Sequence, residues 1–308
     1  MVPNHSLKFF LILTLATLAC GLTAPASDAP VPVPAQDTTS VPAAAPGLTV
    51  DQLKNAQYQI GVREDHAVVQ LTDGKYQQGT DATTLDFTYI ALTDFVAVGD
   101  LTGDSVDEIA AMFLENFGGT GNFGLLTIYT NVNGLPVFLT STLIDDRPMV
   151  NSVSIDNGEV FVDAIVHGFD DGGCCPELPT TRRYALVNNQ LRFTNYTTST
   201  PGGAQRIIEI TAPANGTEVS GSVQVSGNVS IAPFENNLTY FIYDASGNQY
   251  AAGPVAVAAP DLGAPGTFNE TFTLEGIPAG TTIYLEIQDI SAADGSWFSM
   301  DAVRLLVK

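Results

Sequence analysis

From residue 67 onward, apolar and polar residues alternate in short runs, and Gly, Asn and Asp cluster between the runs. A period of two over such lengths predicts half-buried β-strands. The pattern places them at 67–71, 86–91, 95–98, 109–115, 124–131, 136–143, 149–156, 159–166, 183–187 and 190–194. Asp73-Gly74, Asn133-Gly134, Asn157-Gly158 and Asn188-Asn189 are hairpin signals, because these residue types accept the positive φ of the tight turns that match strand twist. The clearest hairpin is 149–156 with 159–166 around Asn157-Gly158. One helix is predicted: Thr49 as N-cap, with Leu53, Ala56, Gln57 and Ile60 on one face before Gly61. Residues 48–198 therefore read as an antiparallel, β-rich (α+β) domain with one short helix. The breaker Thr197–Gly203 (TTSTPGG) sets a boundary, with 199–206 as linker. Residues 207–308 then carry about seven short strands with turns every 8–12 residues, which predicts a β-sandwich.

The N-terminus follows a different pattern. Lys8 precedes the apolar run FFLILTLATLAC, Phe9–Cys20. A charged start, a short apolar stretch and a small-residue exit make an export signal. Eleven residues rise only about 16 Å as a helix, against a hydrocarbon core of about 30 Å, so the run is expected to be cleaved rather than to span. Leu18-Ala19-Cys20-Gly21 resembles the lipobox of bacterial lipoproteins, with Thr17 where that pattern prefers Leu or Val. The resemblance implies a signal peptide over 1–19 and acylation of Cys20, hence an exported protein anchored on the outer side of the cytoplasmic membrane or at the cell surface. The other reading is an ordinary secretory signal with Cys20 incidental. Residues 20–47 have no apolar period and are rich in Ala, Pro and Thr, which reads as an extended tether about 50–80 Å long.

Charge narrows the partners. Eleven basic residues against 33 acidic ones give −22, and removal of residues 1–19 takes away Lys8 alone, giving −23. Such a surface repels phosphate backbones and anionic headgroups, so nucleic acid is excluded and the membrane is met only through the lipid. It favours basic partners and Ca²⁺, and it also keeps an exported protein soluble.

The last hundred residues carry a more specific set of marks. Pro213 and Gly216 precede the first Val-Gly run, Gly221 and Gly227 bracket a strand, and Phe234-Glu235 precedes the next. Asp244-x-x-Gly247 makes a hairpin, Pro265-Gly266-x-Phe268 a later turn, and Ser291-Ala-Ala-Asp294-Gly295-Ser296 closes the set. These residues resemble the immunoglobulin-like domain of bacterial spore germination, a β-sandwich at the end of exported proteins. The resemblance covers about 207–308 and implies a fold and an exported setting, with no established activity. There is no Cys–Trp–Cys pattern of the antibody type. The middle block, with Gly99-Asp100-Leu-Thr-Gly103-Asp104, NFGGTGNF and Cys174-Cys175-Pro176, is similar to an uncharacterised domain of bacterial exported lipoproteins, which brings no function.

Candidate chemistry is sparse. Asp100, Thr102, Asp104, Val106 (through its carbonyl) and Glu108 alternate as the oxygen ligands of a Ca²⁺ loop would. Thr102 is neutral where Asn or Asp is usual, Ser105 replaces the easing glycine, and Ala111 stands where an EF-hand needs Glu. The competing reading is an acidic turn in which Asp100 and Asp104 cap backbone N–H groups. Cys174 and Cys175 are expected to form a vicinal disulfide or to be structural loop cysteines. A metal site with His167, Asp170 and Asp171, and pairing to another chain, are the other readings. The glycine-rich 116–124 lacks a Gly-Lys-Ser/Thr ending and reads as a turn. Arg182-Arg183 is the sole basic pair and is expected to neutralise nearby acids. Asp294, Ser296 and Trp297 could form an exposed contact, or Trp297 could cover a core edge.

No catalytic residue is assigned. The expectation is a non-catalytic, mostly-β binding or structural lipoprotein meeting an envelope protein or polymer. The alternatives are an extracytoplasmic hydrolase around His167 and Asp170, and an adhesin stabilised by Ca²⁺.

Overall fold

The computed structural model describes residues 47–308. The signal, the Cys20 and nearly all of the tether readings fall on residues 1–46, outside the described residues. Thr49 caps a helix as expected. Its hydroxyl accepts from the Gln52 amide while Gln52 Oε1 accepts from Thr49 N at 2.9 Å. That helix, α1 (Val50–Leu53), is a single turn. Residues 57–60 do not continue it. Ala56, Tyr58 and Ile60 are all buried, a period of two, and Gln57–Gln59 is a strand, β1, antiparallel to β2 (Val68–Gln70). The helical reading took Gln57 as a core position and passed over Tyr58, which the fold buries completely.

Five strands follow as one antiparallel sheet in chain order: β3 (Lys75–Gln78), β4 (Thr88–Gly99), β5 (Glu108–Asn116), β6 (Phe123–Val132) and β7 (Leu135–Asp146). The strands expected at 86–91 and 95–98 are one, β4, bulged between Leu92 and Val96. The sheet is a middle layer. On β5, Ile109, Ala111 and Phe113 pack with Leu53, Tyr58 and Tyr129 on one face, while Ala110 and Met112 pack with Leu126, Val160 and Val162 on the other. Burial on both faces accounts for the run Ile-Ala-Ala-Met-Phe, which lacks a polar alternate.

The opposite layer is made of β8 (Met149–Asp156), β9 (Glu159–Val166), β10 (Leu178–Val187) and β11 (Gln190–Ser199), each antiparallel to the next. All four expected turns stand. Asp73-Gly74, Asn133-Gly134, Asn157-Gly158 and Asn188-Asn189 have φ between 49° and 82° at both central residues, and Thr72 bridges Lys75 across the first. Residues 200–203 turn, and β12 (Gln205–Arg206) pairs back on β11.

The remaining residues fold as a sandwich. One sheet holds β13 (Ile208–Ala212), β15 (Ser222–Val229) and β18 (Gly266–Thr273), after a short β14 (Thr217–Val219). The other holds β16 (Asn237–Asp244), β17 (Gln249–Ala256), β19 (Thr282–Ile290) and β20 (Trp297–Val307). Val225, Phe268 and Phe272 of the first face Ile242, Leu285 and Leu305 of the second in one apolar core. Gly227 lies inside β15, and a Cβ there would stand 2.2 Å from the Glu209 carbonyl oxygen. This position brackets no strand; it lets two backbones approach.

The two lobes share a sheet. Asn195, Tyr196 and Thr197 of β11 pair with Asp301, Met300 and Ser299 of β20. The resulting order is β17-β16-β19-β20-β11-β10-β9-β8, with β12 on β11 and β14 on β20.

A buried carboxylate supports the first lobe. Glu115 accepts from the Tyr58 hydroxyl and Gly61 N at 2.7 Å and from Val62 N at 3.0 Å. Burial, then the Glu115 charge, pushes the Tyr58 hydroxyl well above its ordinary pKa. Glu115→Ala leaves three donors without their acceptor and should cost about 3 kcal/mol or more in urea unfolding, at about 1–3 kcal/mol per stranded group. Glu115→Gln should cost less, because it keeps one carbonyl acceptor.

Candidate functional site

The sequence-derived candidates do not converge. In the Asp100 turn, Asp100 Oδ1 accepts from Thr102 N and Gly103 N, and Oδ2 from Ser105 N at 2.8 Å. These bonds, Ser105 first, hold its carboxyl below the usual value. Asp104 Oδ1 accepts from Val106 N. Glu108 is buried and turns inward, accepting from Leu101 N at 2.9 Å and from the Thr130 hydroxyl. Burial raises its pKa. Among the described residues, no group of three or more His, Cys, Asp or Glu is placed to hold a metal. Both oxygens of Asp100, Asp104 Oδ1 and Glu108 Oε2 accept from backbone N–H groups, and Glu108 turns inward, so the residues do not fit a Ca²⁺ loop. They fit the capped acidic turn. Ser105, where glycine would ease the turn, takes φ 67°.

In the β9–β10 loop the structure joins Cys174 to Cys175. Both are exposed at the tip, and Asp171 Oδ2 ties the loop base by accepting from Gly168 N and Glu177 N. These two bonds hold the Asp171 carboxyl low. His167 does not meet Asp170, which is exposed. Its Nδ1 lies 2.9 Å from Asp145 Oδ2, and its Nε2 is buried without a partner. The 116–124 stretch is a turn between β5 and β6, where Asn116 Oδ1 accepts from Gly118 N.

The residues that do converge lie where the lobes join. Trp297 stacks edge-on against Phe193, centroids 5.5 Å apart, and against Tyr196 at 6.3 Å. It is the only tryptophan, and its ring closes the junction from the sandwich side. Asp294 and Ser296 do not join it in a contact. Asp294 Oδ1 accepts from the Ser296 hydroxyl and amide, and Ser291 N donates to Ser296 O, which together form the β19–β20 turn.

Four arginines of a chain poor in cations gather nearby. Arg192 Nη2 lies 2.7 Å from Glu286 Oε1, and its guanidinium sits 4.5 Å from the Tyr284 ring and 5.2 Å from Tyr243. Arg206 is 3.6 Å from Asp289 and lies over Phe298. Arg182 is buried and donates to the Ile144 carbonyl. Arg183 lies over Phe161 with Nε 3.6 Å from Glu159. The basic pair thus does neutralise an acid, but only through Arg183. Sequence reading missed Arg192, Arg206, Glu286 and Asp289, since nothing local marks an ion pair whose partners lie nearly a hundred residues apart.

Beside the seam a cleft of about 410 Å³ opens between β10, β11, β13 and β20. Arg183, Glu159, Asn195, Asp301, Thr194 and Thr211 line it. Thr194 and Thr211 are the extra residues of β-bulges in β11 and β13; bulges re-aim side chains at the edges of sites. The Thr194 hydroxyl is buried with no hydrogen-bond partner. Asp301 accepts from Asn195 Nδ2 at 3.0 Å and from Ile210 N at 2.8 Å. Burial nevertheless raises its pKa, with those bonds and Arg183 opposing. Its volume lies in the range of small-molecule sites, while its lining is mainly polar.

With this geometry in place, the second lobe can be compared with known families. Residues 207–296 match Gmad2, the immunoglobulin-like domain of bacterial spore germination. The match covers under a third of the chain, and no curated protein matches it. The Gmad2 match ends at Ser296, one residue before β20, so the strand that joins the Gmad2 lobe to its neighbour lies just beyond the matched residues.

The seam generates a stability prediction. Arg192 and Glu286 are both largely buried, so removing one partner strands the other charge. Arg192→Met should destabilise the chain by about 3 kcal/mol in urea unfolding. Adding Glu286→Leu should recover most of that loss; a double variant no more stable than the single would assign the pair no role.

Proposed function

We propose that this chain is a non-catalytic binding or structural module, displayed at the cell surface as a lipoprotein anchored through Cys20. The observation that carries the reading is the shared sheet, which presents a Gmad2 immunoglobulin-like lobe and its β-rich neighbour as one stiff body with a polar cleft at their join. A Gmad2 lobe fits such a module. In the cleft, the charged groups are held by each other and by the backbone, an arrangement suited to recognition by shape and hydrogen bonding. The net charge of −22 suits a basic or neutral envelope protein or polymer and disfavours nucleic acid. In this reading the Ala- and Pro-rich stretch before Gly47 supplies reach from the membrane.

One observation favours the rival hydrolase. The Asp145–His167 pair leaves Nε2 buried and unengaged, the arrangement of an oriented imidazole. Loss of a hydrolytic turnover in His167→Ala, with the fold retained, would support that rival.

The lipoprotein reading makes a direct prediction. Expressed in a bacterial host, the parent chain should incorporate labelled fatty acid and partition into the detergent phase, and Cys20→Ser should lose both properties. Unchanged processing and membrane retention in Cys20→Ser would contradict the anchor.

A further inference from the structure

The Cys174–Cys175 disulfide is poorly placed to act as a staple. Its two cysteines are neighbours in sequence, so the cross-link encloses no stretch of chain. A disulfide stabilises chiefly by restricting the unfolded chain, and that restriction shrinks with the loop it closes. The β9–β10 loop is also held without it. Asp171 Oδ2 accepts from Gly168 N at 2.8 Å and from Glu177 N at 2.7 Å, which closes the base. Cys175 N donates to the Gly172 carbonyl at 2.8 Å, which makes the turn at the tip. None of these bonds involves a sulfur.

What the pair does have is access. Both cysteines are exposed, and Gly172 and Gly173 precede them. Chain neighbours aside, a Cβ on Gly173 would meet no atom within 4 Å, and one on Gly172 only the Cys174 sulfur at 3.9 Å. Exchange needs an incoming thiolate to reach a disulfide sulfur, and exposed disulfides are the labile ones. Charge then selects the thiol. Residues 167–177 carry Asp170, Asp171 and Glu177 and neither Lys nor Arg. Such a loop repels an anionic thiol and admits a neutral or cationic one. Adjacency selects further. After a monothiol has opened the bond, the freed cysteine sits beside the mixed disulfide and closes the ring again. A dithiol escapes that return, because its second sulfur resolves the mixed disulfide from its own side.

We propose that Cys174–Cys175 is a reversible thiol–disulfide exchange site, reduced by a dithiol of neutral or positive charge. One thiolate of the reductant attacks a sulfur of the pair. The S–S bond breaks, and the departing sulfur leaves as a thiolate that takes up a proton. The reductant's second thiolate then attacks its own sulfur in the mixed disulfide and expels the remaining cysteine, which is protonated in turn. The pair gains two electrons and two protons, and the dithiol becomes a disulfide. An oxidised partner of the same kind reverses the sequence. The inference stands independently of the junction cleft, the Cys20 anchor and the function proposed above.

The test uses the full-length chain with Cys20→Ser, purified without reductant, in which Cys174 and Cys175 are the only cysteines. In native buffer with equal concentrations of reduced and oxidised dithiothreitol, the pair should be about nine-tenths reduced or more, read by acid quench and maleimide mass shift. Reduction, or C174S/C175S, should move the melting midpoint by no more than about 4 °C, as expected of so short a cross-link. At about 10 mM salt, cationic dithiobutylamine should reduce the pair about fivefold faster than anionic dimercaptopropanesulfonate, and the ratio should fall toward one at about 1 M. Each rate is taken relative to that reagent's rate with neutral hydroxyethyl disulfide. Four results would each overturn the proposal: free thiols before any reductant, a pair that stays oxidised in the dithiothreitol buffer, a larger melting shift, or equal relative rates for the two dithiols.

Discussion

Three residue pairs hold this molecule together as one body. Where Asn195–Thr197 meet Ser299–Asp301, two sheets become one of ten strands. Without that pairing, residues 299–301 of β20 and 195–197 of β11 would each present an unpaired stretch of edge, a liability for a β-protein. Ladder bonds over three residues are modest in themselves. Their position is what matters, because they fix the register in which Trp297 meets Phe193, Arg192 meets Glu286 and Asn195 meets Asp301. The junction cleft exists only in that register.

The electrostatics follow from the same join. A chain with three times as many acids as bases has to place its few cations where an unpaired acid would cost most. Glu286 and Asp289 lie buried beside the seam, and each faces an arginine. Burial raises the Asp289 pKa while Arg206 opposes that rise. A cation beside a desolvated carboxylate favours its charged form. The guanidinium of Arg192 also lies over two neighbouring tyrosine rings, Tyr243 and Tyr284, where its plane suits the site better than a lysine's point charge. At the turns the opposite regime holds. Asp100, Asp171 and Asp244 are half-buried, and backbone or side-chain N–H groups keep their carboxyls below the ordinary value. Acidic residues here include turn caps, arginine-paired anions at the seam, and buried carboxylates such as Glu108 and Glu115 that are held by backbone N–H and hydroxyl donors.

Much of the fold was legible because its marks are local. Asn-Gly and Asn-Asn turns announce hairpins through backbone conformation alone, and the Thr49–Gln52 box announces a helix start. The sandwich was readable through family marks such as the 291–296 run, which proves to be a tight turn between β19 and β20. Where the reading failed, two periodicities competed. Leu53, Ala56 and Ile60 suit a helix, but Ala56, Tyr58 and Ile60 suit a strand better, and burial of the tyrosine decides it. Long-range features left no mark at all. Nothing around Glu115 shows that it will cap a turn some fifty residues earlier, and nothing around Arg192 points to Glu286. The junction cleft is built from bulges at Thr194 and Thr211, which a residue pattern does not reveal.

That the two lobes form one cooperative unit through the seam is the central claim, and the single tryptophan lies where it can be tested. Urea unfolding followed by Trp297 fluorescence reports the junction, while far-ultraviolet circular dichroism reports all strands. Coincident transitions with one midpoint and one slope are predicted. A tryptophan transition that completes at lower urea, with the strand signal retained, would show two lobes that separate before they unfold and would contradict the account.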